Sequence, residues 1–262
     1  MISSRDIIQA FKNSGLEQGR TVFCHSNIGF FGRVENASNM DDLAKIMLDC
    51  FTEVLGKDGT LVLPVFTYSF GANSKNKIFD VQNSLSTTSG MGNWLIRTGN
   101  GSRSIDPMLS VIAIGGKAEK LTKNFDGTCF GLNSIWSKIY DDDAMICNLN
   151  LDSGSTYLHW LEKKFKVSYR HDMKMSGEII DNEKVYPASI IYTGRKLDDP
   201  AFKPMFEIYH QKCVEAGITK KIPLGRGQIV SQSARNAAVF LEDLLKSYPN
   251  ILTKKHLMQK VK

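Results

Sequence analysis

No stretch of this 262-residue chain is apolar for the roughly 18–20 residues that crossing a bilayer takes. The N-terminal Met1-Ile2-Ser3-Ser4-Arg5-Asp6 has no signal-peptide core either. A cytoplasmic protein without a membrane partner is therefore expected. Cysteine is scarce and unpatterned: Cys24, Cys50, Cys129, Cys147 and Cys213 are odd in number and never spaced C-x-x-C. Runs such as Val22-Phe23-Cys24 and Met145-Ile146-Cys147 suit a reduced thiol acting as a small hydrophobe. Neither a disulfide framework nor a structural zinc site follows. The five histidines (His25, His159, His171, His210, His256) lack the H-E-x-x-H spacing, so no metal is expected. Internal repeats, low-complexity linkers and domain boundaries are missing too, which predicts one domain over 1–262.

Charge of one sign is only modestly in excess: 33 Lys plus Arg against 27 Asp plus Glu leaves 33 − 27 = +6. The lysine clusters at 163–166, 220–221 and 254–262 are short. No helix-turn-helix, zinc finger or RRM pattern accompanies them, which argues against nucleic acid as a partner. Apolar residues at 42% and charged residues at 23% are ordinary globular usage. At this length a full core can form without staples.

What is present is an alternation of short apolar runs and amphipathic helices. A capped helix is expected over 3–14, then a buried strand at 21–24 running into His25-Ser26. Asn39 caps a helix in which Leu43, Ile46, Met47, Cys50, Phe51, Val54 and Leu55 fall on one face. Gly56 ends it, and Thr60-Leu61-Val62-Leu63 forms the next strand. A polar loop at 69–88, a helix at 90–97, a strand at 111–114, a short helix at 117–121, a strand at 144–148 and a helix at 155–165 follow. Helices near 204–216 and 233–247 complete the series. Continuous apolar strands between helices predict an α/β, three-layer mixed fold, its sheet largely parallel and covered by helices on both faces. Alternating patterns near 168–196 predict a small antiparallel insertion.

The segment Asp152-Ser153-Gly154-Ser155-Thr156-Tyr157-Leu158-His159-Trp160-Leu161-Glu162 carries the most chemistry. A Gly- and Ser-rich turn opens a helix at the carboxyl end of a buried strand, where open α/β sheets place ligands. His159 and Glu162, three apart, share a helix face, so the carboxylate can fix the imidazole's tautomer and make it a general base. The bland reading is an ordinary exposed His/Glu pair. His25-Ser26 also lies at a strand end, and Thr88-Ser89-Gly90-Met91-Gly92 opens a helix without the Walker lysine or a dinucleotide fingerprint.

Taken in order, these segments resemble the aminoglycoside 3-N-acetyltransferases, also called antibiotic N-acetyltransferases. The resemblance rests on His-Ser near 25, Leu-Gly-x-Asp-Gly-Thr-Leu-Val-x-Pro at 55–64 and Phe79-Asp80. It continues through Thr88-Ser89-Gly90-Met91-Gly92, x-Pro-x-x-Ser ending at Ser110, Phe130-Gly131 and Thr156-x-x-His159-x-x-Glu162. It implies a layered α/β fold and acetyl-CoA as donor. It implies His159 as the base that takes the amine proton, Glu162 as its support and Thr156 beside the oxyanion. His25, Ser26, Ser89, Met91 and Ser110 would line the CoA site.

One departure bears on the acceptor: Asp106-Pro107-Met108-Leu109-Ser110 stands where resistance enzymes typically have His-Pro-Thr-His-Ser. Asp80, Asp106 and Arg170 are taken as candidates to meet the acceptor. The basic excess, with Arg97, Arg103 and Arg170 beside matched segments, favours an anionic acceptor. The expected function is N-acetylation of a nucleotide-linked amino sugar of surface polysaccharide synthesis. The alternatives are an aminoglycoside acceptor with antibiotic resistance, a non-catalytic CoA- or anion-binding protein, and a hydrolase based on Asp80 or Asp106. The oligomeric state is left open.

Overall fold

The apolar runs become the middle of a sheet, and the stretches between them become its helices. The computed structural model describes residues 1–196 and 198–260, so the last two residues of the lysine-bearing stretch 254–262 lie outside the described residues. In chain order come α1 (Ser4–Asn13), β1 (Thr21–Ser26), α2 (Met40–Leu55), β2 (Thr60–Pro64), β3 (Ile78–Asp80), α3 (Gly90–Thr98), β4 (Ser102–Arg103) and β5 (Val111–Gly115). Then follow α4 (Ala118–Thr122), α5 (Ile135–Asp141), β6 (Met145–Leu149), α6 (Tyr157–Lys164), β7 (Arg170–Asp181) and β8 (Lys184–Arg195). The chain continues with α7 (Glu207–Glu215), β9 (Lys220–Leu224), β10 (Gly227–Ser233), α8 (Ala234–Ser247) and α9 (Lys255–Lys260). Local chemistry sets the ends of α2: the Asn39 side chain accepts from the Asp41 and Asp42 amides at 2.9 Å, and Gly56 stops the helix at φ 64°.

The main sheet has the order β4-β5-β2-β1-β6-β10-β9. Its parallel part is the central trio, in which β1 pairs with β2 and with β6; the strands flanking that trio run antiparallel. The sheet is therefore mixed, with a parallel heart. Strand alternation divides the core into two. Val22, Cys24, Leu61, Leu63, Met145 and Cys147 face α1–α3, where Phe11 stacks on Phe51 at 4.0 Å between ring centres. Phe23, Val62 and Ile146 face the other way, onto Trp136, Leu161 and Leu241 of α5, α6 and α8. Each fully buried large side chain contributes roughly 1.5–3 kcal/mol.

The insertion expected near 168–196 is the β7–β8 hairpin, to which β3 adds a third strand. It packs Ile179 and Ile190 onto the same face as α5 and α6. The β9–β10 hairpin and the short β3 and β4 had no counterpart in the sequence reading. Among the described residues, no helix is long and apolar enough to cross a membrane.

Candidate active site

Parallel pairing sets β1 and β6 side by side with His25 opposite Asn148. Both lie on the face that carries Phe23 and Ile146, at the carboxyl end of the parallel trio. Beyond β6 the chain turns sharply. The Asn148 amide donates to the carbonyls of Asp152 (2.6 Å) and Gly154 (2.8 Å), and the Gly154 amide donates to the Asp152 carboxylate (2.7 Å). The Ser153 hydroxyl is held 2.8 Å from His210 Nδ1 and 3.0 Å from Thr219. A turn pinned at so many points fixes where α6 starts. Thr156 stands at that start, its backbone N–H 3.3 Å and its hydroxyl 3.4 Å from His25 Nε2.

One turn into α6, His159 Nδ1 lies 3.1 Å from Glu162 Oε2. An ionised carboxylate can only accept, so Nδ1 carries the hydrogen and Nε2 keeps its lone pair. The imidazole sits between Phe130 and Phe206, with ring centres at 6.3 and 5.9 Å. Glu162 is wholly buried. Its Oε1 accepts from Tyr169 Oη (2.8 Å) and Arg195 Nη2 (2.5 Å), and its Oε2 accepts from Arg170 Nε (2.6 Å) as well as from His159.

Burial would push the Glu162 carboxyl up, but the His159 hydrogen bond and the charges of Arg170 and Arg195 outweigh it and hold it far below the usual carboxylate range. For His159, burial first and then the Arg170 charge lower the pKa to about 4, against the pull of Glu162. His25 is lowered to about 4 by burial and by His159. Two neutral imidazoles thus stand side by side at neutral pH, one of them oriented with a free Nε2. An imidazole held this way has a lone pair chemically able to accept a proton.

The remaining residues singled out in the sequence are placed as follows. Ser26 is half-buried at the end of β1, beside His25. Ser89 is buried, its hydroxyl accepting from the Gly92 amide (2.9 Å) as the cap of α3, and Met91 is fully buried in the core. Ser110 is fully buried and donates to the Val65 carbonyl (2.7 Å) while Arg103 donates to it (3.2 Å). All three therefore have internal partners. Asp80 accepts from the Gln82 and Asn83 amides at 2.9 Å and from the Asn83 side chain, closing a turn. Asp106, 5% exposed, accepts from the amides of Met108 (2.8 Å) and Leu109 (3.0 Å) and from the Cys129 thiol (3.3 Å). Neither aspartate is among the groups that touch His159. Arg170 does reach the site, but its guanidinium is spent on Glu162 and on the Thr193 carbonyl (2.7 Å) rather than turned toward a free anion.

Sequence reading did not bring Tyr169 and Arg195 into the site. A signal existed. Asn182, with φ 54°, sits in the two-residue turn 182–183, and counting back along the hairpin from there pairs Arg170 with Arg195. Among the described residues, no group of three His, Cys, Asp or Glu side chains could hold a metal ion.

A family model described as aminoglycoside 3-N-acetyltransferase matches residues 23–246. No curated protein sequence matches the chain. Solved structures do. The aminoglycoside acetyltransferase AAC(3)-Xa has a TM-score of 0.80 at 17% identity, with 95% of this chain and 94% of that one covered. AAC-IIIb in a binary complex with CoASH scores 0.77 at 18% identity, over 94% and 96% of the two chains. AAC-VIa bound to sisomicin scores 0.76 at 15% identity, over 94% and 97%. At these identities the likeness is one of fold.

Proposed function

Because the chain belongs to the aminoglycoside 3-N-acetyltransferase family, we propose that it moves an acetyl group from acetyl-CoA to a primary amine of an amino sugar, the whole domain forming one catalytic unit. The observation that carries this reading is His159, held by Glu162 with its Nε2 free. As the amine nitrogen bonds to the thioester carbonyl carbon, His159 Nε2 takes the proton that the nitrogen sheds. Glu162 keeps the imidazole in place and stabilises the imidazolium that forms. The Thr156 hydroxyl, at the start of α6, is the donor assigned to the carbonyl oxygen as it gains charge. The C–S bond then breaks, and the departing thiolate of CoA is neutralised by the proton held on His159. His25 and Ser26 are the residues on the proposed CoA side that keep partly accessible side chains.

For the acceptor, family membership supports an aminoglycoside, and the sisomicin complex of AAC-VIa agrees. One observation favours a second reading, a nucleotide-linked amino sugar. Aminoglycosides are polycations and need free carboxylates. Here Glu162 is sealed between two arginines, Asp106 is buried, Asp80 closes a turn, and Asp172 pairs with Lys163 at 3.3 Å. The chain as a whole carries +6.

The test measures thiol release from acetyl-CoA at low salt, with gentamicin in one arm and a nucleotide-linked amino hexose in the other. A higher kcat/KM for gentamicin selects the first reading and the reverse order the second. Thiol release that needs no amine would overturn acetyl transfer altogether and point to a hydrolase. An absence of turnover with every amine would leave a binding protein.

A further inference from the structure

We propose that Arg170 and Arg195 are a pair of positioning residues that act on the reaction through Glu162, fixing both the tautomer and the charge of His159. This rests on His159 being the base. The two arginines are direct partners across the β7–β8 ladder, at the open end of the hairpin. Like charges placed opposite one another in an antiparallel pair repel. Within the hairpin Arg170 Nη1 donates to the neutral Thr193 carbonyl (2.7 Å), which brings no opposite charge. Glu162, on α6, does: Arg195 Nη2 meets Oε1 at 2.5 Å, while Arg170 Nε and Nη2 meet Oε2 at 2.6 and 2.5 Å. The side chains of both arginines are almost fully buried, 3% and 4% exposed. Tyr169, next to Arg170 in the chain, closes Oε1 from the other side.

The consequence lies in the charge count. The groups facing His159 are Glu162 from its own helix, Arg170 and Arg195 from the hairpin, and His25 from β1. Phe130 and Phe206 flank the ring and carry no charge, and about a quarter of the side chain, 23%, stays open to solvent. With His159 neutral, the buried cluster of Glu162 and two arginines already has a charge of +1. A proton on the resting imidazole would make it +2, with the cluster's other three members almost fully buried. A lone buried Glu beside a His draws it toward imidazolium; the arginine pair opposes that pull, in the same direction as burial. It also occupies the remaining lone pairs of Glu162, which leaves the carboxylate one way to face Nδ1.

The experiment follows the 15N signals of the His159 ring in the labelled full-length protein from pH 8 to pH 4. They are assigned by their loss in His159→Gln. In the native chain the ring should stay neutral and Nδ1-protonated to about pH 5. Arg170→Gln keeps a donor to Glu162 but removes the charge, and should raise the midpoint by about one pH unit or more. Arg170→Lys, which keeps the charge but not the forked contact, should raise it clearly less than Arg170→Gln does. The acid limb of kcat/KM should move in step, with the KM for acetyl-CoA unchanged within about threefold.

If Arg170→Gln titrates like the native protein, or if the Lys and Gln variants move alike, the arginines only brace the fold and the proposal fails. Arg195→Gln runs the same test from the opposite strand, should Arg170→Gln not fold. The ring titration needs no turnover. A chain that transfers no acetyl group would therefore overturn the proposed reaction, while the titration would still be read on its own.

Discussion

Acidification should destabilise this protein through two histidines before its carboxylates matter. His25 and His159 titrate near 6.5 in an unfolded chain and near 4 in the fold, burial being the main cause for both. A depressed folded pKa gives stability that is complete above 6.5 and is lost as pH falls toward 4. The gap of 2.5 pH units, at 1.36 kcal/mol per unit, is about 3.4 kcal/mol for each ring at full development. Between pH 7.5 and 5.5 each ring loses about 1.3 kcal/mol, and the pair about 2.7. For a chain of this size that is a fall in Tm of about 5–11 °C between pH 7.5 and 5.5. His210, lowered in the same direction by burial, adds to the slope. Glu162, lowered from an ordinary 4.5, contributes its loss only as pH falls through that value and below, outside the interval from 7.5 to 5.5.

The two rings repel one another, so the apparent midpoints belong to the pair. Thermal melts followed by circular dichroism at half-unit steps measure the effect. His25→Gln and His159→Gln should each remove about half of the slope. A Tm that stays level from pH 7.5 to 5.5, or a slope that neither variant changes, would refute the argument.

His159→Ala should lose about 10²–10⁴-fold in kcat while calorimetry still detects acetyl-CoA binding; native turnover in that variant would remove the base from the mechanism. Glu162→Gln strands Arg170 and Arg195 opposite one another and should cost about 3–5 kcal/mol in urea denaturation, a loss under 1 kcal/mol counting against the buried cluster. Gly177→Ala sets a methyl group against the Phe70 ring and the Lys77 carbonyl where β7 meets β3, and should cost about 1–3 kcal/mol by the same assay. A variant as stable as the native chain would show that this contact gives way freely.

The parts of the fold legible in the sequence are those written in long apolar repeats. The face of α2, the buried runs of β1, β2 and β6 and the turn into α6 all follow from local pattern. The β9–β10 hairpin did not. Lys220-Lys221-Ile222-Pro223-Leu224 forms the sheet's edge, where lysine and proline are at home and apolar alternation is weak. Nor does a run of apolar residues reveal its direction, so the antiparallel flanks of the sheet were hidden behind its parallel trio.

In the site, His159 and Glu162 could be read because they are one helical turn apart. Tyr169 and Arg195 are 7 and 33 residues from Glu162, joined to it only once the hairpin register is known. Ser89, Met91 and Ser110 matched a motif, yet a motif does not say which side of the backbone a residue faces. Here a cap, a core contact and an internal hydroxyl bond occupy them.

Register makes the hairpin an unusual place for evolution to experiment. Arg170 and Arg195 meet only because each strand counts twelve residues from the turn. Side chains on the outer surface of β7 and β8 can be exchanged at little cost to the chemistry, since none of them touches Glu162. Gaining or losing a single residue at the 182–183 turn is a different event. It slips one strand against the other and turns its side chains over unless a bulge absorbs the change, so a guanidinium leaves the carboxylate from some forty ångströms of chain away. Point substitutions here should therefore accumulate among descendants, while length changes of one should be rare and changes of two, which restore the facing, less so.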